Sequence, residues 1–226
     1  MKKTTLLSIA LTLLSIISFA QNQKPKESGL SFGVNAGLTL PTIANYDKDS
    51  HITSVTAPNA SFYLGGTVNI PISQMFSLQP GLSLINKGGQ YNQAIGGTSY
   101  ASKTNLLYLE IPVNIVVAFE AGPGKFLVGV GPYLSFALKG TNKVPTLNSA
   151  TGQVTTVSND VVFGSGVGQT KSVDFGFGSL GEYRFNNGIG IHAGSGMGLI
   201  NIGNSTGLNT YNLVTTFGLT YTFGKK

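Results

Sequence analysis

The chain has 226 residues, with 14 Lys and Arg, 8 Asp and Glu, and no Cys. Charged residues make up only 10%, against about 25% in ordinary soluble domains, and Gly reaches 31. This mix excludes a highly charged disordered chain, a disulfide-stapled mini-domain, a thiolate metal site and a cysteine nucleophile.

Lys2 and Lys3 open the chain, and an apolar run from Leu6 to Phe19 follows, broken only by Ser and Thr. Ser18-Phe19-Ala20 sets small residues at the two positions a signal peptidase reads, and Gln21 starts a polar stretch. The pattern predicts a secretory signal peptide over 1–20. A short periplasmic segment over 21–28 and one domain over 29–226 come next. The run is short for a membrane-spanning helix, the alternative being an uncleaved anchor. Without Lys2 and Lys3 the 14 basic residues fall to 12 against 8 acidic, a balance of +4.

Beyond residue 28 the apolar period is two, not three or four. In 30–40 the even positions read Leu, Phe, Val, Ala, Leu, Leu, and the odd ones read Ser, Gly, Asn, Gly, Thr. In 107–119 the odd positions read Leu, Leu, Ile, Val, Ile, Val, Phe. The same alternation predicts eight strands, near 29–40, 59–70, 76–86, 105–119, 126–138, 172–184, 189–200 and 210–223. Most are twice the five or six residues common in soluble sheets, and long enough to cross a bilayer at a tilt. Links near 71–75, 120–125 and 185–188 are short. Those at 41–58, 87–104 and 139–171 are long, and 201–209 is intermediate. Short turns at one end and long loops at the other describe an outer-membrane barrel with both termini in the periplasm.

Only a helix or a closed barrel pairs every backbone group in lipid. The fold expected is an all-β, eight-stranded antiparallel up-and-down transmembrane barrel. Phe32, Phe76, Phe119, Phe126, Phe185, Tyr221 and Phe223 cluster toward the short-turn end as an interfacial girdle. A secreted lipocalin-like barrel is the alternative, but it requires a strongly charged outer face, and neither face here is strongly charged. Eight strands leave an interior that side chains fill, so a wide channel is not expected. Inward glycines, among them Gly176, Gly178, Gly190, Gly194 and Gly196, would ease packing there.

Several segments resemble a known family. Thr104-Asn105-Leu106-Leu107-Tyr108-Leu109-Glu110-Ile111-Pro112-Val113 is similar to the YLEIP strand of PorT-like outer-membrane β-barrels of Bacteroidota. Leu78-Gln79-Pro80-Gly81-Leu82 resembles the LQPEL strand, with Gly81 where Glu is frequent. Gly129-Val130-Gly131-Pro132-Tyr133-Leu134 resembles the GPYL strand, and Val173-Asp174-Phe175-Gly176 the DFG strand. Thr216, Gly218, Tyr221 and Phe223 match the C-terminal signal read by the outer-membrane insertion machinery, although Gly224-Lys225-Lys226 extends past it. The resemblance implies an integral outer-membrane barrel and carries little about activity, since most members have none assigned. Pro80, Pro112 and Pro132 lack a ladder donor, so bulges or twisted pairing are expected there.

Few charges fall within strands. Glu110, Asp174, Glu182 and Arg184 share the inward parity, and so does His192. A three-residue hairpin at Asn186-Asn187-Gly188 pairs 185 with 189 and sets Glu182 opposite His192. A lumen polar cluster that fills space is favoured over a relay or a lipid-cleaving base. Gly164–Lys171 lacks the Gly-Lys-Ser/Thr of a phosphate loop and has no strand-to-helix setting. Asp47, Asp49 and His51 offer cation ligands but read as ordinary loop chemistry. Basic residues are scattered, so no nucleic acid is expected. No catalytic residue, cofactor or metal is assigned. The role expected is a non-enzymatic scaffold or part of an envelope or secretion assembly. Its partners are outer-membrane lipid, the insertion machinery and envelope proteins. A narrow path for small or apolar solutes is the second reading, and a lipid-modifying enzyme the third.

Overall fold

The computed structural model describes residues 29–224 other than 48, 50, 149 and 150. The expected signal peptide, the segment at 21–28 and the Lys225-Lys226 end lie outside the described residues. Ten strands run in order: β1 (Ser31–Asp47), β2 (Ile52–Val55), β3 (Ser61–Pro71), β4 (Phe76–Ile95), β5 (Thr98–Ala121), β6 (Gly124–Leu147), β7 (Val154–Asp160), β8 (Val173–Phe185), β9 (Ile189–Gly198) and β10 (Leu208–Gly224). Eight of them form one antiparallel ring in the order β1-β3-β4-β5-β6-β8-β9-β10, closed by β10 on β1. The other two, β2 and β7, extend the far ends of β1 and β6. The ring places each predicted strand where its alternation put it, and closure leaves no membrane-embedded edge unpaired.

The ladder registers fix the stagger of the ring. Crossing the strands from Phe32 through Val68, Pro80, Val113, Pro132, Phe177, Met197 and Leu213 returns to β1 at Thr42, ten residues farther along. Outward positions carry Leu, Val, Ile, Met and Phe, and the seven girdle aromatics all lie exposed toward the short-turn end. Inward positions carry the buried polar and tyrosine side chains.

Turn chemistry explains where the strands stop. Gly96 and Gly97 have φ of 58° and 80°, the pair of left-handed residues a type I′ hairpin demands, and Ile95 pairs with Thr98 across them. The predicted long loop at 87–104 is therefore a continuation of β4 and β5. Its small polar residues hid the alternation. The loop at 139–171 likewise contains the end of β6 and all of β7. Of its remaining residues, Val161 and Phe163 lie against the buried cluster of Tyr63, Ile85, Leu106, Tyr108, Ile202 and Val214. The Asn186-Asn187-Gly188 hairpin forms as the spacing predicts, with Gly188 at φ 91° and its N–H donating to Phe185 O at 3.0 Å.

The prolines break pairs without shifting register. The Val68–Pro80, Gly81–Pro112 and Val113–Pro132 pairs are missing from three successive ladders, and each ladder resumes in step. A missing N–H removes a bond but adds no residue, so the expected bulges are not at the prolines. The irregularity in this wall lies between Leu107 and Tyr108, where β6 carries one extra residue.

Glycines let inward tyrosines lie flat across neighbouring strands. Tyr63, Gly37, Gly218 and His192 are successive register partners on β3, β1, β10 and β9. Tyr63 passes over Gly218 to reach the histidine. Tyr133 lies over its partner Gly176 in the same way. A Cβ at Gly176 would stand 2.6 Å from Tyr133 Oη and overlap the Met197 carbonyl oxygen. Gly176→Val is thus expected to cost about 1–3 kcal/mol or more in barrel stability. Gly181→Ala, with open space around its Cβ, should leave it unchanged. Urea titration of refolded protein, read by heat-modifiable gel mobility, checks both.

Candidate functional site

Odd positions of β4 point inward, and Lys87 continues that series past Ser83 and Ile85. Its ammonium has nearly no exposure, at 1%. It lies 2.9 Å from Glu110 Oε2, 2.9 Å from Asp174 Oδ2 and 3.1 Å from Ser135 Oγ, so each of its three N–H groups has an acceptor. The same nitrogen sits 4.0 Å from the Tyr133 ring centre and 5.2 Å from that of Tyr108, within cation–π range. Asn212 donates to Asp174 Oδ2 at 3.0 Å, and Ser135 donates to Glu110 Oε2 at 3.0 Å. A buried ion is tolerable only when paired and hydrogen-bonded in this manner. The five contributors come from β4, β5, β6, β8 and β10, so the cluster ties most of the ring together across its axis.

The sequence-predicted lumen residues fall into two groups. Glu110 and Asp174 join Lys87, which lies just past the strand expected at 76–86 and is part of β4. Glu182, Arg184 and His192 lie nearer the short turns. Glu182 and His192 are register partners and both are buried. They do not bond to one another. Arg184 Nε donates to Glu182 Oε1 at 2.7 Å, and that carboxylate lies over Gly190. His192 Nε2 meets the Tyr63 hydroxyl, and Nδ1 lies 2.8 Å from Thr220 Oγ1. Both ring nitrogens are thus occupied by hydroxyls inside the wall. Tyr63 and Thr220 were not singled out in the sequence, although inward parity and the Gly37 and Gly218 rung were there to be read.

Among the described residues, the lumen keeps open space at two levels. A cavity of about 130 Å³ is bordered by Lys87, Glu110 and Tyr133 and by Tyr63, Gln79 and His192. A vestibule of about 310 Å³ opens at the short-turn end, with Arg184, Asn69, Leu127 and Thr222 among its walls. Between the cavity and the loop end stand Tyr108, Leu106, Ile202 and Val214, all buried.

The remaining candidates resolve into local structure. Asp47, Asp49 and His51 bring their ligand atoms within 4.8 Å of one another. Asp47 Oδ1 already accepts the N–H groups of Asp49 and His51 at 2.9 Å each, which closes the turn. In the Gly-rich loop, Gln169 Oε1 accepts the Gly166 N–H, and Asn204 donates to the carbonyls of Gly164 and Gln169. Those bonds anchor the loop to 199–207. Among the C-terminal residues, Thr216 and Gly218 face inward, while Tyr221 and Phe223 are exposed on the outer wall.

Removing the cation alone leaves the lumen carboxylates of Glu110 and Asp174 without a counter-charge. Lys87→Met is therefore expected to destabilise the barrel by about 3–5 kcal/mol. Lys125→Met removes an exposed pair with Glu120 and should cost at most about 1 kcal/mol. Equilibrium urea unfolding in lipid vesicles measures the difference.

Among solved structures, the chain is similar to Ail, the attachment invasion locus protein of Yersinia pestis. The TM-score is 0.45 at 10% identity, covering 87% of this chain and 100% of that one. It is similar also to Neisserial surface protein A, with a TM-score of 0.43 at 12% identity over 86% and 99% of the two chains. The N-terminal β-barrel domain of Pseudomonas aeruginosa OprF aligns with a TM-score of 0.31 at 13% identity, covering 87% and 100%. No curated protein matches the sequence. The family model described as outer membrane protein beta-barrel domain matches residues 19–225. This chain belongs to that family and is an outer-membrane β-barrel protein.

Proposed function

We propose that this chain is a PorT-like, non-enzymatic scaffold whose lumen is sealed and whose rims contact other proteins of the cell envelope or of a secretion assembly. In this reading residues 1–20 direct export, and the insertion machinery reads Thr216, Gly218, Tyr221 and Phe223. The termini and short turns face the periplasm, and the β4–β5 and β6–β7 hairpins face outward. What supports it is the plug. Lys87, Asp174, Ser135, Tyr108 and Asn212 are almost wholly excluded from solvent at one level of the lumen. An interior so occupied serves rigidity better than passage. An enzymatic reading has less support, because His192 is held by two hydroxyls and Glu182 by Arg184. The 130 Å³ cavity favours solute transport as the second reading, with the plug as its gate.

The scaffold reading expects defined envelope proteins to co-purify after crosslinking in native outer membranes. It also expects a closed baseline from the refolded barrel in planar bilayers. Recovery of the barrel alone together with steady conductance would overturn it in favour of transport. Orientation is tested separately. A thiol at Gly97→Cys should react with an impermeant reagent on whole cells, and one at Gly122→Cys should not.

A further inference from the structure

The far ends of β5 and β6 carry an unusual charge arrangement. Lys103 and Lys143 are direct register partners, and Lys139 is paired with Leu107 on the same two strands. Thr104 and Asn142, the next pair, bond to each other on the inner face. Lys103 and Lys143 therefore point outward, and Lys139 shares their face with Leu107. All three lysines are exposed. Like charges placed opposite each other across a ladder are destabilising. Their rung neighbours, Gln90 on β4 and Ser158 on β7, carry no charge to relieve it. The nearby carboxylate is Asp160, opposite Thr141, and no ion pair joins it to any of the three among the described residues. Three cations to one anion leave a net positive patch on the outer wall.

The height of the patch decides what it meets. Phe119 and Phe126 pair at the short-turn girdle. At about 3.3 Å per residue and a tilt near 40°, β6 climbs about 33 Å from Phe126 to Lys139 and about 43 Å to Lys143. The apolar band of such a barrel is about 25 Å tall, and a whole bilayer with its headgroups spans about 40–45 Å. Phe126 stands at the lower edge of that band, so the far headgroup layer lies about 25–38 Å above it. Lys139 falls within that layer at the loop end, and the Lys103–Lys143 pair stands just above it, from where lysine stems reach back down to the headgroups. The outward Leu107 and the exposed Leu138 lie at the top of the apolar wall beneath them, and the lysine stems can lie along that wall.

We propose that Lys103, Lys139 and Lys143 form a binding site for the phosphate headgroup of a membrane lipid, which neutralises the Lys103–Lys143 pair. The assignment of the lipid to the outer leaflet rests on the orientation given above; the site itself does not. The test uses full mature protein in phosphatidylcholine nanodiscs doped with phosphatidic acid or, in a parallel set, with oleate. Bound lipid is counted by native mass spectrometry after detergent exchange. Wild type should retain phosphatidic acid over oleate. Lys103→Gln/Lys139→Gln/Lys143→Gln should lower that retention about tenfold or more. Lys125→Gln, at the other end of the barrel, should not change it. Heat-modifiable mobility verifies that each variant is folded. Equal retention by the triple variant, or equal retention of oleate, overturns the proposal. Selective retention with Gly97→Cys unreactive on cells upholds the site and overturns only the orientation.

Discussion

A single buried ammonium organises the interior of this barrel. Lys87 has nearly no contact with solvent, and its desolvation is tolerable only because Glu110, Asp174 and Ser135 accept its three N–H hydrogen bonds and Tyr133 presents a ring face. Lys87 and these partners lie on four different strands. Their meeting at one point requires the ten-residue stagger of the ring, which brings distant sequence positions to the same height. The narrow lumen of an eight-stranded ring then leaves little room beside them. The inward glycines follow from the same constraint. Tyr133 and Tyr63 fit only because Gly176 and Gly218 put no side chain beneath them.

The polar interior is layered along the axis. Nearest the short turns, Arg184 and Glu182 form one pair, with His192, Tyr63 and Thr220 beside it. The Lys87 cluster comes next, and an apolar cap of Leu106, Ile202 and Val214 closes the loop end, with Phe163 packed against it. Each layer binds strands that are not neighbours in the ladder. Such ties offset what the wall loses along the proline seam, where three ladders each drop pairs at one level. A barrel held rigid from within suits a part whose rims must be presented in fixed positions, and its fold alone names no partner.

Much of this was legible in the residues, and the reasons differ by element. Period-two alternation located the eight ring strands because one face had to be apolar for lipid. Gly188 fixed the β8–β9 register, and with it the opposition of Glu182 and His192. Strand ends were harder to see. Lys87-Gly88-Gly89 and the polar residues after it carry no apolar face once the chain leaves the bilayer, and so resemble a loop. The Gly96-Gly97 pair was the available hairpin signal. Missing it removed Lys87 from the lumen list and left Glu110 and Asp174 without their cation. Cross-lumen partners such as Tyr63 with His192, 129 residues apart, depend on shear, which no local pattern encodes.

The most direct test of the central claim is a double-mutant cycle on Lys87 and Asp174, with unfolding free energies measured in vesicles. If the buried ammonium and its carboxylate support one another, Lys87→Met/Asp174→Asn will cost less than the sum of its single variants. The coupling expected is about 2 kcal/mol or more. Additivity within about 0.5 kcal/mol would contradict the account, because the two groups would then contribute independently and the lumen would owe its closure to packing alone.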